Sequence, residues 1–299
     1  GGSSNFSGTY DGGGHVIDGL TIDRSSTDIV GMFGQTSNAV IKNLGLKNVS
    51  ISGKKSVGGL VGRAYTSTIT GCYTTGSVTS SDWFVGGLAG VTYGATISNC
   101  YSTASAISNA WFQGGLLGAG YEGGGNDTLI QNSYSTGVVG TSAIVGGLVG
   151  KDYAVTVENS FWDTETSGQD LMAGNLSEEG GKTTSEMKAA SLYMGWDFVL
   201  ETANGADDVW EMDNGNGVLN GGLPFFSWEN GSEVVYDLPT VVSSVPDILT
   251  SSSSNQLITI TATDSDGGNT VIAASSSDSN VAAVSVSGTS TIGTETKAI

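Results

Sequence analysis

Basic residues are scarce. Ten lysines and arginines face 29 aspartates and glutamates in 299 residues, for a formal net charge of −19. Nucleic-acid binding needs basic surface to neutralise phosphate, and adhesion to anionic lipid needs the same, so neither partner is expected. Histidine occurs once, at His15. Any Ser-His-Asp or Cys-His site would have to use it, and its glycine neighbours point instead to a structural role. Two cysteines are too few for a disulfide framework. No apolar run reaches the roughly 18 residues of a membrane-spanning helix, so no membrane insertion is expected. No charged n-region followed by an apolar h-region marks a signal peptide. The chain opens on Gly1 and runs out after Gly288 without a closing element. It is expected to be a monomeric piece of something longer.

Glycine is abundant instead. The chain has 47 glycines, more than twice the usual share of about 7%. The hydrophobic share is 38% and the mean hydropathy +0.02, enough for a packed core and against disorder. Charge is uneven. Residues 1–151 carry seven acids and seven bases, whereas residues 152–299 carry 22 acids and three bases. Such a break implies different architectures in the two halves.

The first half repeats. Gly59-Leu60-Val61-Gly62, Gly87-Leu88-Ala89-Gly90, Gly115-Leu116-Leu117-Gly118 and Gly147-Leu148-Val149-Gly150 follow Gly31-Met32-Phe33-Gly34 at steps of 28, 28, 28 and 32 residues. A second motif runs in register: Val40-Ile41-Lys42-Asn43, Thr68-Ile69-Thr70-Gly71, Thr96-Ile97-Ser98-Asn99, Leu129-Ile130-Gln131-Asn132 and Thr156-Val157-Glu158-Asn159. Each copy alternates and is rich in β-branched residues, as a strand would be. A unit of this length cannot bury its apolar face alone; stacking does so. The expectation is a right-handed parallel β-helix, a β-solenoid, over residues 5–160. A propeller blade would need about 40–45 residues. The isoleucines and leucines should form interior columns, and the asparagines a ladder of stacked amides at a corner.

The tetrad resembles the GLUG motif of large bacterial surface proteins. The opening Phe6-Ser7-Gly8-Thr9-Tyr10-Asp11-Gly12-Gly13-Gly14-His15 and the later Ser160-Phe161-Trp162-Asp163 and Gly181-Lys182-Thr183-Thr184 resemble the same arrays. The resemblance implies a secreted or surface-displayed protein, often an adhesin. GLUG motifs also occur in streptococcal immunoglobulin A proteases, whose zinc site lies in a separate domain. That site requires a His-Glu-x-x-His helix, which a chain with one histidine lacks.

Residues 161–230 break the period and are expected to cap the open end of the solenoid with aromatics. One short helix, over about 185–193, should follow the capping box Thr183-Thr184-Ser185-Glu186. Residues 231–245 are expected to be a linker. Residues 246–299 resemble the start of an Ig-like or cadherin-like repeat, with strands at 257–263, 270–274 and 281–286.

Four groups of residues are candidates for function. Trp83-Phe84 and Trp111-Phe112 share one repeat position and could form an aromatic step for sugar rings, the alternative being corner packing. Cys72 and Cys100 share another, as a disulfide or as two buried thiols. Asp264 and Asp266 offer oxygen ligands to calcium, the sole cofactor with any support, on a turn that lacks the rest of an EF-hand. Asp82, Glu122, Asp127 and Asp152 do not share a column, although paired carboxylates are the usual requirement of glycoside cleavage. The expected function is therefore non-enzymatic: a binding surface or stalk of an extracellular, cell-surface adhesin that meets a host or environmental glycan or protein. A polysaccharide lyase or hydrolase and a plain spacer are the alternatives.

Overall fold

One repeat makes one coil. In the computed structural model, Val40 pairs with Thr68, Thr68 with Thr96, Thr96 with Leu129 and Leu129 with Thr156, all in parallel. The structure describes residues 5–108, 111–141, 144–173, 180–199, 207–212 and 220–230, and the backbone of 259–263, 290–291 and 294–298. It comprises two compact units, Gly1–Glu211 with Leu223–Glu229, and Met212–Gly222 with Asn230–Ile299.

The first unit is the expected parallel β-solenoid. Its first sheet stacks Thr9–Asp18, Val40–Gly53, Thr68–Ser80, Thr96–Ser102, Tyr134–Ser135, Phe161–Asp163 and Gly181–Lys182 in that order. The second stacks Phe33–Ser37, Val61–Tyr65, Ala89–Tyr93, Leu117–Tyr121 and Val149–Asp152. The third stacks Val57–Gly58, Val85–Gly86, Phe112–Gly114 and Ile144–Gly146. The long step is absorbed by a loop closed by Gly123 and Asn126, after which register resumes.

Side chains alternate across each strand, and the inward ones form columns. Ile41, Ile69, Ile97 and Ile130 are fully buried, as are Leu60, Leu88, Leu116 and Leu148. Each contributes about 1.5–3 kcal/mol of burial. Ile17 and Val157, near the two ends, are only partly buried.

The tetrad glycines are needed for space. A Cβ on Gly87 would strike the carbonyl of Gly115, and one on Gly118 the carbonyl of Gly90. The left-handed corners belong chiefly to asparagine: φ is 53° at Asn43, 47° at Asn99, 46° at Asn132 and 44° at Asn159, with Gly71 at 60° in the same row. The expected amide ladder is not made. Among the described residues no hydrogen bond joins one of these asparagines to the next. Asn43 Nδ2 donates to Asp11 Oδ1 at 3.1 Å instead. The row is selected for backbone conformation, which asparagine tolerates unusually well.

Closing the end and covering the flank are separate tasks. The end is closed by a further coil, in which Trp162 is fully buried against Gly147 and donates through Nε1 to the Gln169 carbonyl at 2.8 Å. Asp163 caps the short helix Thr164–Ser167. The capping box at Thr183 and Glu186 is formed. The single helix expected over 185–193 is instead an α-turn, Thr184–Met187, and a 3-10 turn, Ala190–Tyr193. The Tyr193 hydroxyl takes the Met187 carbonyl at 2.6 Å, an acceptor that a continuing helix would use.

The aromatics expected over the end lie along the flank. Tyr73, Tyr101 and Tyr134 stack outside the first sheet at 4.8 and 5.0 Å. Trp228 and Phe226 pack on Tyr73, Trp210 on Tyr101, and Trp196 on Tyr134 and Phe161. Under these rings the outward tyrosines Tyr73, Tyr101 and Tyr134 are buried, which removes their apolar faces from water.

In the second unit, Thr294–Ala298 pairs antiparallel with Thr259–Thr263 and with Ser290–Thr291. The strands expected at 270–274 and 281–286, and the linker, lie outside the described residues.

Candidate functional site: an exposed aromatic face

From Val61 onward, a tyrosine stands three residues past each tetrad, at the end of the second-sheet strand or, for Tyr153, just beyond it. Tyr65, Tyr93, Tyr121 and Tyr153 stack at 4.6, 5.0 and 4.4 Å, with interplanar angles of 10°, 15° and 13°. This rise follows the ~4.8 Å between paired strands. Burial pushes the Tyr93 hydroxyl up, and burial with a hydrogen bond to Tyr153 pushes Tyr121 up as well.

The expected aromatic step adjoins it. Phe84 and Phe112 stack at 5.0 Å and 12°, and meet Tyr121 and Tyr153 edge-on at 6.4 and 6.3 Å. Trp83 and Trp111 lie outside them, 6.2 Å apart at 30°. The tryptophans remain 42% and 46% exposed and Tyr153 51%, whereas Phe112 is 5% exposed. The step is thus not four equal members. The tryptophans are the surface, and the phenylalanines brace them against the tyrosine ladder. Sequence reasoning missed that ladder, although Tyr65, Tyr93, Tyr121 and Tyr153 each stand three residues past a tetrad.

Cations stand at the ends of this face. Arg63, Val91, Ala119 and Lys151 form one row of the second sheet. Arg63 Nη2 donates to Ser56 Oγ at 3.2 Å, and Lys151 Nζ lies 5.4 Å from the Tyr153 ring centre. Val57 pairs with Val85, so the register places Lys55 and Ser56 where the next coil has Trp83 and Phe84.

The other candidates do not converge on it. Cys72 and Cys100 pair in neighbouring coils as free, buried thiols. Their sulfurs donate to the Thr70 and Ser98 carbonyls at 3.3 and 3.2 Å. Burial raises both, Cys72 to about 12, which suppresses the reactive thiolate. His15 Nδ1 lies 3.0 Å from the Gly13 carbonyl on an exposed strand. Asp152 Oδ1 accepts from Val155 N at 2.8 Å. Among the described residues no group of three His, Cys, Asp or Glu side chains could hold a metal. Asp264 and Asp266 lie outside the described residues. A cleft of about 460 Å³ at the first coil is lined by Ile22, Asp23, Arg24, Ile29 and Val30. Asp23 there is already engaged by Ser52 Oγ at 2.7 Å. No helix among the described residues is long and apolar enough to cross a membrane.

Stacked parallel coils define the class: a repeat-built β-solenoid, here with an exposed aromatic face. Two of the repeats, residues 53–79 and 85–108, match the family described as "The GLUG motif". The second match contains Phe112's neighbouring coil from Val85, and the first contains Lys55 and Arg63. Halomucin of Haloquadratum walsbyi is 44% identical over 78 residues, which is 26% of this chain and 1% of halomucin. The match therefore spans a very small part of that relative. A solved Bacteroides ovatus chain, described as a candidate immunoglobulin A1 protease, is similar at 20% identity, TM-score 0.48, with 73% of this chain and 76% of that one covered.

Proposed function

We propose that this chain is a non-enzymatic, surface-associated repeat segment whose aromatic face binds carbohydrate on a neighbouring surface, as an adhesin does. One observation carries the reading: the stacked, half-exposed Trp83 and Trp111 beside an open tyrosine ladder. A soluble solenoid has no packing reason to leave two such rings outside, and contiguous exposed apolar surface commonly marks a binding site. Flat aromatic rings bury the apolar face of a sugar while its hydroxyls stay in water. The GLUG matches and the halomucin likeness support a surface-associated, extracellular setting. A lyase or hydrolase is not favoured: burial and nearby Asp127 raise the Asp152 carboxyl, but Asp152 Oδ1 is already taken by Val155 N.

A glycan array probed with the purified chain tests this reading. Wild-type protein is expected to retain a subset of glycans, and the Trp83→Ala/Trp111→Ala double variant to lose them. Undiminished binding by the double variant rejects the aromatic step.

A further inference from the structure

We propose that the aromatic face selects acidic carbohydrate. The ligand is a uronate-bearing chain whose rings stack on Trp83 and Trp111. Its carboxylates are met by Arg63 and Lys55 at one end of the face and by Lys151 at the other. The proposal rests on the carbohydrate-binding reading above.

Three observations carry it. The chain has ten basic residues, and three of them bracket this one face of a chain whose net charge is strongly negative. The ion pairs among the described residues are Lys42 with Asp11 and Lys54 with Asp28. Neither involves Lys55 or Arg63, so both bring positive charge that no carboxylate among the described residues pairs with. The third observation is the state of Arg63. Its Nε is buried and has no hydrogen-bond partner, while Nη2 makes the bond to Ser56 Oγ. With Nε enclosed and the side chain half-buried, the guanidinium meets a carboxylate through its remaining Nη donors.

The position of Arg63 has a geometric reason. Phe84 and Phe112 lie beside the rows of Val91 and Ala119, and in the preceding coil their place is held by Ser56. Arg63 reaches into that place. The bond to Ser56 Oγ thus holds a planar cation in the coil before the phenylalanines, with donors at its edge. A sugar chain running along the coils would pass from tryptophan to guanidinium over one coil, about 4.8 Å. Asp82 and Glu122 adjoin Trp83 and Tyr121 in sequence, so the field at the rim is mixed. Selection comes from the paired placement of rings and cations rather than from bulk charge.

Calorimetric titration with oligogalacturonate and with its carboxyl-reduced, neutral counterpart, at low and high salt, tests the proposal. The oligouronate is expected to bind about tenfold more tightly than the neutral chain, the value of one charged hydrogen bond. That advantage should shrink in high salt, since exposed charges are screened beyond about 8 Å at physiological ionic strength. Arg63→Gln and the surface variant Lys55→Gln should each shrink the advantage of the oligouronate over the neutral chain, with melting temperature as the control for folding. Equal binding of both oligomers overturns the acidic selectivity and leaves the carbohydrate reading standing. Absence of binding to these and to every arrayed glycan overturns both. Self-association that the double tryptophan variant abolishes, without glycan binding, assigns the face to a second copy and also overturns the proposal.

Discussion

Asn132 shows what the repeat demands of a single residue. Its φ is 46° and its Oδ1 is buried with no partner. The side chain contributes little there beyond tolerating that backbone. Asn132→Gly is therefore expected to be close to neutral, as Gly71 already is in the same row, whereas Asn132→Ala should lose roughly 1–2 kcal/mol to the left-handed conformation. Urea unfolding midpoints of the two variants check this, and equal losses would restore a bonding role for the amide. Gly118 answers to a different constraint, the close approach of the next coil's backbone. Gly118→Ala should cost about 1–3 kcal/mol by overpacking, measured in the same way. Both rows were visible as rows in the sequence. Their reasons were not, because spacing shows which residues are neighbours but not the dihedral angle or the gap between them.

At the scale of the element, the flank segment Leu223–Glu229 is the part with the most chemistry. Its Glu229 accepts from the Tyr101 hydroxyl at 3.0 and 2.9 Å and from Phe226 N at 2.8 Å, with Tyr73 as a further donor. Trp228 on the same segment stacks on Tyr73 and reaches Gly14 of the first coil. Burial raises the carboxyl from 4.5 to about 7, against the lowering by its donors and by Lys47. The folded chain thus keeps a proton that the unfolded chain gives up. By linkage, this contribution to stability is full below about pH 4.5 and is lost as pH rises to about 7. Raising the pH from 5 to 8 is expected to loosen the segment, seen as a change in tryptophan fluorescence and a lower melting temperature. Glu229→Gln, which keeps an acceptor for Tyr101, should flatten that dependence; an unchanged pH profile would clear Glu229 of it. The aromatics at Trp196, Trp210 and Phe226 were legible as a packing group. Their place was not, because nothing local tells an end from a flank.

For the whole molecule, the solenoid is a stack in which each coil leans on its neighbours. The neutral charge of residues 1–151 suits such stacking, since like charges in one column would repel at ~4.8 Å. The acids that make the chain so negative lie past that point. Stability should therefore be local in the stack. Trp162→Ala, which empties the interior of the closing coil, is expected to cost about 3–5 kcal/mol. Its amide exchange should rise first in Ile144–Asp163 and last near Val85–Cys100. Uniform acceleration across all coils would show a stack that unfolds as one. Trp83→Ala, at an exposed position, should change stability by less than about 1 kcal/mol, so that any loss of glycan binding reports the surface alone.

The solenoid could be read from the sequence because its information is periodic. A 28-residue step with isoleucine and leucine at constant offsets defines the coil, the register and the interior columns before any contact is known. The scarcity of basic residues likewise argues against phosphate-rich partners without a structure. Folding decided what lies between coils and across the flank. It sorted Trp83 and Trp111 to solvent and Phe112 inward, and lined up four tyrosines into a ladder. It set Arg63 in the gap left by a serine and placed Glu229 under two tyrosine hydroxyls more than a hundred residues away in sequence. Apart from the tyrosines, whose constant offset from the tetrad records their alignment, these depend on side chains from separate coils and segments meeting in space, and composition and spacing along one chain carry no record of that meeting.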